Sequence, residues 1–69
     1  MALAKANIYK VEWHDPPHGV AEHNVQARTR QVAINKAKRK FHIKKGMGIL
    51  AKRIVEKGQR VPYGLQVVK

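Results

Sequence analysis

Cysteine and serine are both absent from this sequence of 69 residues, and threonine occurs once, at Thr29. Without thiols there is no disulfide and no thiolate metal site, so the fold must rest on apolar packing, and the lack fits a reducing cytoplasm. Without serine or cysteine the commonest nucleophiles are missing. Only four carboxylates remain for acid–base work, on Glu12, Asp15, Glu22 and Glu56. No glycine-rich phosphate loop is present. These gaps point away from an enzyme and away from any cofactor.

Other absences narrow the field further. No run approaches the roughly 18 apolar residues that a membrane span needs, and the opening Met-Ala-Leu-Ala-Lys-Ala is too short and polar for a secretory signal. A soluble chain with no membrane partner is expected. There is no internal repeat and no low-complexity linker, and a chain this short buries only about 60% of its unfolded surface, so one domain spanning residues 1–69 is expected, with residues 1–6 frayed. Aromatic residues number four, and Tyr9, Trp13 and Phe41 fall on faces expected to be buried, which leaves Tyr63 alone free to stack on a base. The signature of an RNA-recognition motif, zinc-finger cysteines and the spacing of a GXXG clamp are all missing.

The most informative gap is one of charge. From His23 to Val55 there are 33 residues without an Asp or Glu, and that stretch carries ten of the fifteen Lys and Arg residues of a chain whose formal charge is +11. Self-repulsion of this kind opposes folding in a small domain, and a partner bearing phosphates would relieve it.

What is present is enough for a folded core. Asn7 to Trp13 alternates, with Tyr9, Val11 and Trp13 on one side and Lys10 and Glu12 on the other, the period of a half-buried strand. His14 to Gly19, with Pro16 and Pro17, reads as a turn. Val20 to Arg28 alternates again and closes a hairpin, with Ala21, His23, Val25 and Ala27 on one face. Thr29 is placed to cap a helix from Arg30 to about Lys45, whose apolar stripe is Ala33, Ile34, Ala37 and Phe41 and whose end is expected at Gly46 or Gly48. Ile49 to Lys57 fits either period; its β-branched residues, and the need of a hairpin for further strands, favour a strand. Val61 to Val68 would add an edge strand. The expected fold is α+β, a small antiparallel sheet of three strands, or four if the last segment joins, packed on one helix in the order ββαβ(β).

On a helical wheel Lys36, Arg39 and Lys40 line one flank of the helix, and Lys38 and Lys45 the other. Arg28, Arg30, Lys44, Lys52 and Arg53 extend the basic area. A solvated helix face usually mixes both signs, whereas this one has no acid to form an i,i+4 pair. The expected role is therefore phosphate contact with duplex DNA or structured RNA through Arg28, Arg30, Lys36, Arg39, Lys40, Lys44, Lys45, Lys52 and Arg53. The alternative is an accessory module that uses the same charge to bind an acidic protein. Attachment to an anionic membrane is disfavoured, because Ala33 and Ala37 make the apolar face too thin to insert. His14, His18 and His23, with Asp15 nearby, have donor chemistry for a metal, but they flank a proline turn and are read as solvated histidines.

The passage Val25 to Ala37, a strand followed by a cap and an alanine-spaced helix, is similar in architecture to two groups of small basic domains. One is archaeal ribosomal protein LX, and the other the arm-binding domains of tyrosine recombinases, which place their helix after the whole sheet. The likeness spans at most residues 8 to 55 and rests on element order, so it implies nucleic-acid binding only by analogy. No family membership follows from it.

Overall fold

Alternation over two nine-residue runs produces the hairpin, β1 (Asn7–Asp15) with β2 (Gly19–Ala27), paired in register from Asn7↔Ala27 to Asp15↔Gly19. Gly19 takes φ 92° where the chain reverses, and the His18 N–H donates to the Asp15 carbonyl at 2.7 Å. A helix, α1 (Arg30–Phe41), follows, and then β3 (Leu50–Val55) pairs antiparallel with the free side of β1. The computed structural model describes residues 3–16, 18–44 and 46–68. The sheet order is β2-β1-β3, so the fold is α+β in the sequence ββαβ. No helix among the described residues is long and apolar enough to cross a membrane.

Alanine lets the helix lie close to the sheet. Ala33 and Ala37, both 0% exposed, meet Tyr9, Val11, Trp13, Val25, Ala27 and Ala51, with Ile34 and Phe41 packed at the margin. A side chain that ends at Cβ permits close approach and holds it by dispersion over many small contacts. Thr29 caps the helix as expected, its hydroxyl accepting from the Val32 N–H at 3.2 Å.

The helix ends earlier than its cation-rich continuation predicts. His42, rather than Gly46 or Gly48, adopts the left-handed conformation (φ 53°, ψ 45°), and the Ile43 N–H returns to the Lys38 carbonyl at 3.2 Å. The cause is tertiary. Phe41 stacks on His23 at 4.1 Å and tilts against Trp13 at 5.3 Å, and Ile43, Met47 and Ile49 all turn back onto the core. A straight helix to Lys45 would carry Ile43 away from that cluster. The loop is secured when the His14 N–H donates to the Met47 carbonyl at 2.8 Å.

A bulge divides β3 between two cores. Tyr9 pairs with Arg53 and Ile8 with Val55, so Ile54 has no partner opposite it and the alternation slips by one residue. Ala51 and Arg53 therefore face the helix, whereas Val55, which unbroken alternation would place beside them, joins Ile8 and Ala4 in a second cluster on the other face. Val61, Leu65 and Val67 cover that cluster. The segment expected as a fourth strand makes only isolated bridges, Arg60 with Leu3 and Val68 with Val25. It nevertheless closes the outer edge of β2: the Gln26 N–H donates to the Val68 carbonyl at 2.8 Å, and the Val68 N–H to Asn24 at 2.7 Å. Ala4, within the segment expected to fray, exchanges backbone bonds with Gly58 and Gln59 at 2.9 and 2.8 Å. Leu50 and Ile54, apolar by composition, are 63% and 40% exposed, and Tyr63, expected to be free, is 100% exposed.

Candidate functional site

Pairing across the sheet sorts the charges by face. Lys10, Glu12 and Glu22 share the face turned away from the helix, where the Lys10 ammonium lies 3.2 Å from Glu12 and 3.9 Å from Glu22. Asp15 sits at the hairpin turn and Glu56 just beyond β3. The helix and its loop to β3 carry no carboxylate, and among the described residues the sheet face beneath the helix has only Asp15, at the hairpin end of β1. The outer sheet face is thus charge-balanced around Lys10, and the helix with its loop is uniformly positive.

Each flank of α1 builds a different surface. Lys36, Arg39 and Lys40 meet the C-terminal segment at Val68, and the Lys36 ammonium donates to the Gln26 carbonyl at 2.8 Å. That bond anchors Lys36 to the edge of β2 and leaves Arg39 and Lys40 the freer pair. On the other flank Lys38 and Lys44 stand around Ile34, Met47 and Ile49, where the loop folds under the helix. Arg28, Arg30, Lys36, Arg39, Lys40, Lys44, Lys52 and Arg53 are all exposed, and Lys45 lies outside the described residues.

Lys52 and Arg53, neighbours in sequence, take opposite faces of β3. Lys52 pairs with Lys10 on the outer face, and Arg53 pairs with Tyr9 on the helix side. Both lie on β3, whose outer edge has no partner strand among the described residues. Two adjacent cations and a bulge are also what keep such an edge from pairing with another chain.

The start of α1 collects cations that sequence spacing does not connect. Arg30 opens the helix above the sheet, and with Tyr9, Lys52 and Arg53 it lines a cleft of about 520 Å³. Beside it Lys5, Ala6, Asn7, Arg28 and Lys57 line a second, of about 410 Å³. Asn7 is the brace between them: its amide donates to the Arg28 carbonyl at 3.1 Å, and its side-chain oxygen accepts from the Lys57 N–H at 2.9 Å. Lys5 and Lys57 were not among the expected contacts. They are far apart in the chain and outside the acid-free stretch, so only the closure of β3 onto β1 brings them together.

The histidines do not converge. His23 faces the helix, sandwiched with Trp13 at 5.7 Å and Phe41 at 4.1 Å, whereas His14 projects from the opposite face of β1. Among the described residues no three His, Asp or Glu groups are placed to hold a metal ion. Tyr63 stands fully exposed on the Pro62–Leu65 turn, closed by the Leu65 N–H to the Pro62 carbonyl at 3.2 Å. No family model, no curated protein and no solved structure matches the chain.

Proposed function

We propose that the chain is a small non-enzymatic nucleic-acid-binding protein that meets the phosphates of duplex DNA or structured RNA with its helix side. One observation carries the reading: the helix and its loop to β3 hold no carboxylate, and the four acids lie on the outer sheet face, at the hairpin end of β1 or after β3. Ion pairing among surface groups normally relieves like charge, and among the described residues the arrangement supplies it only around Lys10. Phosphodiesters would supply it elsewhere, with release of their counterions. The aromatic residues support backbone contact over base readout, since Tyr9 and Trp13 are buried and Tyr63 alone is fully free.

The reading includes no chemical step. Thr29 is occupied as a helix cap, and the carboxylates do not gather into an acid–base pair on the helix side. A cytoplasmic setting suits it. The acidic-protein alternative draws on the open edge of β3, where an extended acidic segment could add a strand beside Lys52 and Arg53; it predicts retention of one acidic protein after nuclease digestion.

The test is a salt titration with DNA and RNA duplexes of one sequence. Arg30, Lys38, Arg39, Lys40, Lys44 and Arg53 acting together give a log K against log[salt] slope of about −5 on DNA, at about 0.9 per neutralised phosphate. Binding that does not change with salt would exclude a phosphate mechanism.

A further inference from the structure

We infer that the cleft at the start of α1 seats one phosphate of the bound polynucleotide between Arg30 and Arg53, with the Tyr9 hydroxyl donating to it. The inference rests on the nucleic-acid reading and names the point at which it acts. Arg30 reaches the cleft from the helix and Arg53 from β3, with the Tyr9 ring forming the floor between them.

Two features mark this as a seat rather than a chance gathering of charge. Tyr9 is only 7% exposed, and its oxygen accepts from the Asn7 amide at 3.5 Å, the outer limit of a hydrogen bond. An oxygen that accepts from an amide keeps its own hydrogen to donate, and Tyr9 lines the cleft. The second feature is a conflict of charge: Arg30 occupies the first helical position and Arg28 lies just before the cap, with no acid in the first turn. The positive end of a helix favours anions and disfavours cations, so Arg30 and Arg28 are both misplaced for helix stability until anions are bound beside them. Guanidinium groups bind phosphate in fork geometry, and two of them facing across a cleft recognise it better than two ammonium groups would. Lys5 and Lys57, on the other side of Asn7, extend the path toward the next phosphate.

The test uses the full chain, with the arginine Nε–H signals followed by NMR during separate titrations with inorganic phosphate, a DNA duplex and an RNA duplex. Expected are shifts of Arg30 and Arg53 with a duplex, and an affinity loss on the order of tenfold for Arg53→Gln with the salt slope lowered by about 0.9. Tyr9→Phe should weaken binding several-fold and leave the slope unchanged, because it removes a donor and no charge. Should Tyr9→Phe fail to fold, Arg30→Gln and Arg53→Gln, both on exposed residues, carry the test. A chain that binds duplex while Arg30 and Arg53 stay still, or whose Arg53→Gln loses no more than Lys36→Gln, overturns the seat and leaves the nucleic-acid reading standing. Movement with inorganic phosphate alone shows a free-anion site and overturns the seat for a polynucleotide. A chain that binds neither duplex overturns both.

Discussion

Replacing Ala37 by Leu tests the idea that alanine sets the distance at which the cationic helix is held. Ala37 is 0% exposed and faces a sheet surface made by Val11, Val25 and their neighbours, so the three added carbons, a methine and two methyls, have no space to enter. Overpacking a close-fitted contact costs about 1–3 kcal/mol. A domain of 69 residues has a total stability of roughly 3.5–10 kcal/mol at the usual value per residue, so the loss is a large share of it. Urea denaturation followed by tryptophan fluorescence is a suitable assay, because Trp13 lies in the same cluster, 5% exposed. With a slope of roughly 1 kcal/mol per molar urea, the midpoint should fall by about 1–3 M. Asn35→Leu, on the exposed side of the same helix, should move it by less than about 0.5 M. Equal shifts for the two substitutions would refute the argument, since the helix would then be indifferent to which face it buries.

Three further outcomes follow from local geometry. Thr29→Ala removes the acceptor for the Val32 N–H and should lower stability by about 1 kcal/mol, seen as a drop in Tm, with Thr29→Ser nearly neutral. His42→Gly should stabilise by about 0.5 kcal/mol, because relief of the left-handed penalty exceeds the entropy of glycine, whereas His42→Val should destabilise by more than about 1 kcal/mol; thermal unfolding monitored by circular dichroism reads both. Lys10→Ala should change stability by no more than about 1 kcal/mol, since the ion pairs it breaks are about one-third exposed or more, and it should leave duplex affinity nearly unchanged in the salt titration that registers Arg39→Gln. A large affinity loss for Lys10→Ala would place the interface on the outer sheet face.

Much of this molecule is legible one element at a time. The hairpin needs only alternation and a Pro/Gly turn, and the helix needs only a cap and a stripe at 3.6-residue spacing. Thr29, Ala33, Ile34, Ala37 and Phe41 accordingly take their expected places. The division of cations between the two flanks of α1 follows from the same geometry, with Lys36, Arg39 and Lys40 on one side and Lys38 on the other. Where expectation and structure differ, a long-range contact outweighs a local signal. Glycine is the better helix terminator, yet Phe41 and Ile43 win more by packing than His42 loses by a left-handed backbone. Ile54 looks like core by composition, but one bulge turns Val55 to the second cluster and leaves Ile54 without a partner.

The candidate site divides in the same way. Concentration of unlike numbers of charges along a chain is a one-dimensional fact, so the excess of cations and the gap in acids from His23 to Val55 are fully determined by the sequence. Which face those cations share, and where the acids go, depends on pairing register. Glu12 and Glu22 turn away from the helix because they stand opposite each other in the hairpin, and Lys52 parts from Arg53 because successive strand residues point to opposite faces. The grouping of Lys5, Arg28 and Lys57 around Asn7 exists only once β3 has closed against β1. Periodicity reports which side of an element is apolar; it carries no information about which distant segment will arrive beside the polar one, and that choice is made by the packing of the whole chain.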